Sequence, residues 1–581
     1  MEEETKSTGL LSRVLNFFKQ LRKIPYVLNK KEYRLFKIVF AVIVIMLGIS
    51  IWQFVIAKTD EVAKPGGTYT EGIKGQPEYI NPLLAQTNDA DMDLSELIFS
   101  GLMRYNGQQE LKPDLAEDFP EVSEDEKNYV FHLRQNVTWH DGTPFTADDV
   151  LFTVQSIKDR QWQSPLAQNF SGVAVEKVDD YTIKFTLVKD AFSPFLKENT
   201  TFGIIPKHLW EGVLAKNARL SELNVKPIGT GPYMVNQFQK DKTYGRIISY
   251  QLEPHNNYHL GQPNLKKLNI NFYEDYDEII SAYNAGEVDG ISYISPAKRG
   301  DITRKINFYD PGLPRYYAIF FNNKRNENLQ EDAVRQALAH AVDRQRIVDE
   351  VLYGQGEVVN SPILANFLGH NPEVKVYKFN KKKAEETLHS AGWNRIDEEG
   401  HRWKGETRLE VTLYVNDQQQ FIDIANIIKE SWNAIGVQTN VQSFDSTTLQ
   451  TDYIKPREYE ALLFGQLLGH DPDPYIFWHS SQRTDPGLNL SSYHDDSIDR
   501  LLDEARKTND EEQRNLKYLD FQNRFAEAIP ALLLYSPTYS YGNRTKIKGV
   551  DLDYISLPSD RFTDVHLWHI KTKRVWKSSD K

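Results

Sequence analysis

Apolar and polar positions change their rhythm twice along this chain. From 38 to 57 they do not alternate at all: IVFAVIVIMLGISIWQFVIA is twenty residues without a charge. At about 1.5 Å rise per residue, a helix of that length crosses a hydrocarbon layer of about 30 Å. A helix apolar on every side offers water no face, which argues against a soluble core helix. After Gly67 short period-two runs take over, as where Tyr129, Phe131 and Leu133 alternate with His132 and Arg134, and again at 181–188; these predict half-buried strands. Past Pro314 strands and helices alternate. Residues 317–321 read as a strand. Residues 332–348 read as a helix with Val334, Ala337, Leu338, Ala341, Val342 and Val348 on one face. A strand at 409–415, a helix at 421–435 stopped by Gly436, and a strand at 437–444 make a βαβ unit, hence a parallel pair with a right-handed crossover. Helices at 497–507 and 511–529 and a short buried strand at 531–535 complete the pattern.

Local signals refine it. His140, Asp141, Gly142, Thr143 and Pro144 form a turn after the 128–134 strand. Thr146, three residues before Asp149, caps a helix whose apolar positions are Val150, Leu151, Val154 and Ile157. Residues 95–103 read as a further helix, and Lys64-Pro65-Gly66-Gly67 closes a polar linker at 58–66. Ahead of the apolar run lie Arg13, Lys19, Arg22, Lys23, Lys30, Lys31, Arg34 and Lys37. That bias puts 1–37 in the cytoplasm and the chain after Ala57 outside. No small-x-small site follows Ile56, so the anchor is expected to be retained rather than cleaved as a signal peptide. Apolar positions within 10–24 share a helical face beside basic residues, as for a helix on the inner membrane surface or a loose tail.

Composition narrows the chemistry. A chain of 581 residues exceeds one ordinary domain, and its net charge of −12 argues against nucleic acid as a partner. No cysteine is present, which excludes disulfides, thiolate metal sites, a cysteine nucleophile and a lipid-bearing cysteine. His140 and Asp141 are better read as hydrogen-bonding turn residues than as an acid–base pair. His566 and His569 sit at helix-like spacing in a stretch unsuited to a helix, and Asp471 and Asp473, each followed by Pro, suit a turn. A Gly-rich phosphate loop at 229–231 fails because no Lys-Ser/Thr follows and Pro232 breaks the helix such a loop needs. No Gly-x-Ser-x-Gly or His-Glu-x-x-His pattern appears. No catalytic residue, cofactor or metal is therefore expected.

The run WHDGTPFTADDV at 139–150 closely resembles the signature of the family 5 extracytoplasmic solute-binding proteins, the oligopeptide-, dipeptide- and nickel-binding receptors of ABC importers. GTGPY at 229–233, Gly67-Thr68-Tyr69, the Asn81-Pro82 turn, Phe321-Asn322 with VRQAL at 334–338, and the DPD at 471–473 are similar to other family stretches. Phe119 and Leu260 stand where Trp is usual in the family. The resemblance implies an α/β, two-lobed periplasmic-binding-protein-like fold of type II with an extra inserted domain, preceded by one transmembrane helix. It divides the chain into a basic segment 1–37, the anchor 38–57, the linker 58–66, lobe I at 67–110, 221–309 and 537–581, the inserted domain 111–220 and lobe II at 310–536. It implies a cell-membrane receptor for peptides, monomeric, with its binding domain outside the cell, served by ABC permease and ATPase subunits. It also implies a ligand site built from Tyr79, Asn81, Tyr317, Asn322, Phe464, Gly465, Gln466, Leu468 and Asp471. Peptide-binding relatives place an aspartate, partner of the ligand's α-ammonium, where this chain has Leu468, so an apolar or neutral ligand group is expected there. An oligosaccharide or other neutral-solute receptor on the same fold stays open, as does a surface-anchored hydrolase using two carboxylates.

Overall fold

A computed structural model describes residues 29–577 apart from 189–194, 366, 470, 472 and 509. The segment expected to lie on the inner membrane surface, at 10–24, falls outside the described residues. Two units are described in turn.

The first contains the apolar helix and a ribbon. Helix Lys30–Lys58 starts at Asn29, whose side chain accepts from Lys31 and Glu32 amides while Glu32 reaches back in a capping box; none of its residues is buried. Thr59–Lys64, expected as linker, is instead a strand pairing antiparallel with Lys571–Trp576, in register from Thr59↔Trp576 to Lys64↔Lys571. The partner lies some five hundred residues on, so no local pattern announced it.

The second unit spans Pro65–Ile570 and holds two large mixed sheets, each with its own core. In the first, Thr68–Lys74 pairs in parallel with Lys267–Tyr273 and with Gly290–Ile291. Ile247–Pro254 and Tyr233–Lys240 extend one side antiparallel, and Tyr541–Asn543 and Asn307–Tyr309 the other. In the second, Arg315–Phe321 runs antiparallel between Ala461–Leu467 and Ala531–Pro537. The predicted βαβ unit joins it: Glu410–Asn416 and Gln438–Phe444 are parallel, connected through helix Gln419–Asn433. Arg315–Phe321 is buried on both sides, with Tyr316, Ala318 and Phe320 in one core and Ile319 and Phe321 in the other. A strand covered on both faces reads as a nearly continuous apolar run, which is how RYYAIFF reads. The result is a bilobed α/β molecule. A separate antiparallel sheet, in the order Glu121–Val122, Asn128–His132, Thr182–Leu187, Val173–Asp179, stands beside the first lobe's strands in the chain.

Two helices differ from expectation. The one expected at 95–103 is Asp89–Ile98, because Asn88 caps it by accepting the Ala90 amide and Asp89 and Asp91 fill its first turn. It stops before Gly101, where a Cβ would meet the Thr201 backbone at 2.8 Å. The one expected at 332–348 is two, Asp332–Ala341 and Arg344–Glu350. Val342 is extended, and the Asp343 side chain accepts the Gln345 and Arg346 amides, starting a new helix.

Candidate functional site

The chain passes between the two large sheets twice, from Tyr309 to Arg315 and from Pro537 to Tyr541, and the passages touch where Gly312 bridges Thr538. Two cavities open beside the second lobe's strand Ala461–Leu467.

The larger-walled one, about 340 Å³, lies between the lobes: helix Asp89–Ile98 and the 556–563 segment form one side, and Leu467 and Gly469 the other. Its lining is acidic, with Glu96, Asp114 and Asp560 against Arg104. Arg104 Nη1 donates to Asp564 Oδ1 at 2.9 Å, and His259 Nε2 lies in hydrogen-bond contact with Asp114. Glu96 accepts from Thr563 Oγ1 at 2.9 Å. Burial, reinforced by the neighbouring Asp560 charge, pushes the Glu96 carboxyl up to about 8. At neutral pH this carboxyl is therefore largely protonated, and a cation placed beside it would favour its ionised form.

The second cavity, about 370 Å³, is cut into the second lobe by Arg315, Tyr317, Asn416, Gln418, Phe421, Ser446, Phe464, Gly465 and Leu467 among others. It opens at the carboxyl ends of the parallel strands Glu410–Asn416 and Gln438–Phe444, where α/β sheets characteristically place ligands. Tyr317 stacks on Tyr535, with ring centres 5.1 Å apart, and meets Phe421 at a tilt, 5.4 Å away. Gly465 makes room for it: a Cβ there would lie 2.8 Å from the Tyr317 ring.

Of the residues expected at the site, Tyr317, Phe464 and Gly465 come together in this second cavity. The others line neither cavity. Asn81 is fully buried, its Oδ1 accepting the Leu83 amide and its Nδ2 donating to Asn224. Asn322 is buried and donates to the Arg457 carbonyl at 3.0 Å. Gln466 bonds the Tyr316 hydroxyl and the Leu488 carbonyl. Asp471 is buried against Arg514, whose Nη1 donates to it at 3.1 Å. Tyr79 is half-buried, with the Arg219 guanidinium 5.2 Å from its ring centre. Leu468 sits in the core with Tyr316 and Trp478, and Leu467 takes the cleft position instead. Leu468 follows the last residue of strand Ala461–Leu467, and its amide donates to the Pro314 carbonyl at 2.7 Å while its side chain packs into the core that Phe464 also borders. Glu96, Arg104, Asp560, Arg315 and Gln418 escaped sequence reasoning. Gln418 was within reach, since it follows the first strand of a predicted βαβ unit.

The signature itself is structural. His140 is half-buried, and desolvation of its ring pushes it down to about 3, so it is neutral. Its Nδ1 accepts the Gly229 amide at 3.2 Å, which leaves Nε2 to donate to the Gly231 carbonyl at 3.0 Å. The WHDGTP turn thereby clamps the GTGPY turn, and Gly231 in turn donates to the Ile98 carbonyl at 2.8 Å, at the end of the helix that carries Glu96.

Residues 110–487 match the family described as bacterial extracellular solute-binding proteins, family 5, middle. The oligopeptide-binding protein AppA of Bacillus subtilis strain 168 is 29% identical over 481 residues, covering 81% of this chain and 86% of that protein. The dipeptide-binding protein of Escherichia coli K12 is 28% identical over 545 residues, covering 87% and 95%. Among solved structures, the ABC transporter substrate binding protein CtaP of Listeria monocytogenes superposes with a TM-score of 0.74 at 28% identity, covering 87% of this chain and 99% of that one. With a matched region of this extent on a bilobed fold, the chain belongs to the family 5 bacterial extracellular solute-binding proteins, which bind solutes rather than transform them.

Proposed function

We propose that this protein is a membrane-anchored peptide receptor of an ABC importer. The observation that carries the reading is an acidic cavity between two lobes that, among the described residues, two adjacent passages of chain join. A peptide's ammonium group suits the Glu96, Asp114 and Asp560 side of the cleft. Its side chains suit the Tyr317, Phe464 and Leu467 side, where Arg315 adds a partner for a carboxylate. The names of the relatives agree: an oligopeptide-binding protein, a dipeptide-binding protein and an ABC transporter substrate binding protein. Permease and ATPase subunits are the corresponding partners. Helix Lys30–Lys58 serves as the anchor, with the basic 1–37 segment in the cytoplasm and the binding unit outside. The fold is of type II, with 111–220, which includes the four-stranded sheet, as the inserted domain.

The lobes close on the ligand by rotation about the passages at Gly312 and Thr538, where few backbone angles need change. The absence of cysteine makes the test direct. Spin labels on Tyr244→Cys in the first lobe and Leu516→Cys in the second, both exposed sites, report one interlobe distance by pulsed electron resonance. Saturating peptide is expected to shift the distance distribution to a single, different value. An unchanged distribution contradicts closure.

A further inference from the structure

Strand Lys571–Trp576 ends level with the start of the strand that leaves the apolar helix, since Trp576 pairs with Thr59. The Lys577 amide donates to the Lys58 carbonyl at 2.9 Å, and Arg574 Nη1 donates to Thr59 Oγ1 at 3.2 Å, so the ribbon is tied to the helix end itself. Trp576 is 65% exposed, the most open tryptophan at the helix end, and Val575 beside it is also open. Lys571, Lys573, Arg574 and Lys577 give this stretch four cations, which Asp60 and Glu61 on the facing strand offset in part: Glu61 stands opposite Arg574 in register, and Asp60 Oδ1 lies 3.7 Å from Lys577 Nζ.

Geometry then fixes the depth. Thr59 lies two residues beyond Ala57, the end of the uncharged run. The headgroup region on each side of the hydrocarbon is about 5–8 Å thick, and one strand residue rises about 3.3 Å. Trp576 therefore falls within that layer if the helix spans the membrane. Tryptophan favours this depth because its ring is apolar and its N–H still needs a polar partner. The cations that Asp60 and Glu61 leave uncompensated favour anionic headgroups.

We infer that the ribbon of Thr59–Lys64 and Lys571–Trp576 is a lipid-binding element that seats Trp576 in the headgroup layer and its cations on anionic lipid. The protein is then held at the outer surface by a second contact beside its helix. This rests on the anchor reading above, and the experiment separates the two. Full-length protein carrying an environment-sensitive dye at Trp576→Cys, Phe54→Cys or Leu516→Cys is placed in nanodiscs of equal parts phosphatidylcholine and phosphatidylglycerol. The Phe54→Cys probe, within the apolar helix, tests the anchor, and the Leu516→Cys probe gives the aqueous reference. We expect the Trp576→Cys probe to emit to the blue of the reference and to be quenched more by headgroup nitroxide lipids than by deep acyl-chain ones. An aqueous Trp576→Cys probe beside a buried Phe54→Cys probe overturns the ribbon's role and leaves the anchor standing. An aqueous Phe54→Cys probe overturns both.

Discussion

Arg561→Met lowers folding stability by about 3–5 kcal/mol, the expected cost of stripping buried carboxylates of their cation. Arg561 has no exposed side-chain surface; its Nε donates to Glu71 at 3.2 Å and its Nη1 and Nη2 grip Asp93 at 2.7 and 2.6 Å. Glu71 and Asp93 are as buried as their partner. Burial already pushes Glu71 up to about 7, though the guanidinium opposes it. Without Arg561 both carboxyls must take protons or face an apolar interior as anions. The network also joins strand Thr68–Lys74, helix Asp89–Ile98 and the 556–563 segment, so its loss loosens the wall that carries Glu96. Thermal unfolding of the variant tests this. Adding Glu71→Gln and Asp93→Asn should recover part of the loss, because neutral amides bury at lower cost. A single variant within about 1 kcal/mol of the parent contradicts the account.

Gly229→Ala is the second large effect. A Cβ at Gly229 would stand 1.9 Å from the Ile98 carbonyl oxygen and 2.7 Å from its carbon, backbone atoms that no side-chain rotation can move. The GTGPY turn must then lift off the helix end and off His140, and overpacking of this kind costs about 1–3 kcal/mol or more. Gly212→Ala, with open space around its Cβ, serves as the control and should stay within about 0.5 kcal/mol. If both variants melt alike, the close approach of Gly229 to Ile98 is not what holds the clamp between the two signature turns.

Much of the fold could be read in the sequence because its signals are local. The βαβ unit shows in a helical period bounded by two apolar runs and Gly436, and the Thr146 cap in four residues. Long-range pairing leaves no such mark, so the strand at Thr59–Lys64 looked like linker. Cap competition is equally hard to rank: Asp343 offered its neighbours a better bond than a continuous helix did and divided 332–348. Of the residues the resemblance placed at the site, Tyr317, Phe464 and Gly465 line a cavity. Asn81, Asn322 and Asp471 lie in recognisable motifs, but each motif holds the scaffold together, and motif matching does not distinguish a residue facing ligand from one facing the core. Leu468 shows how narrow that difference is, since Leu467 lines both cavities and its neighbour, past the strand's end, packs in the core.

Native mass spectrometry of the full-length protein, released from detergent micelles after incubation with a mixture of short peptides, tests the central claim most directly. The account predicts one-to-one adducts whose masses equal intact peptides, saturating with concentration, with no shortened products at any time. Protein that stays free of peptide at saturating concentration, or a mixture in which peptides are progressively cleaved, would contradict it.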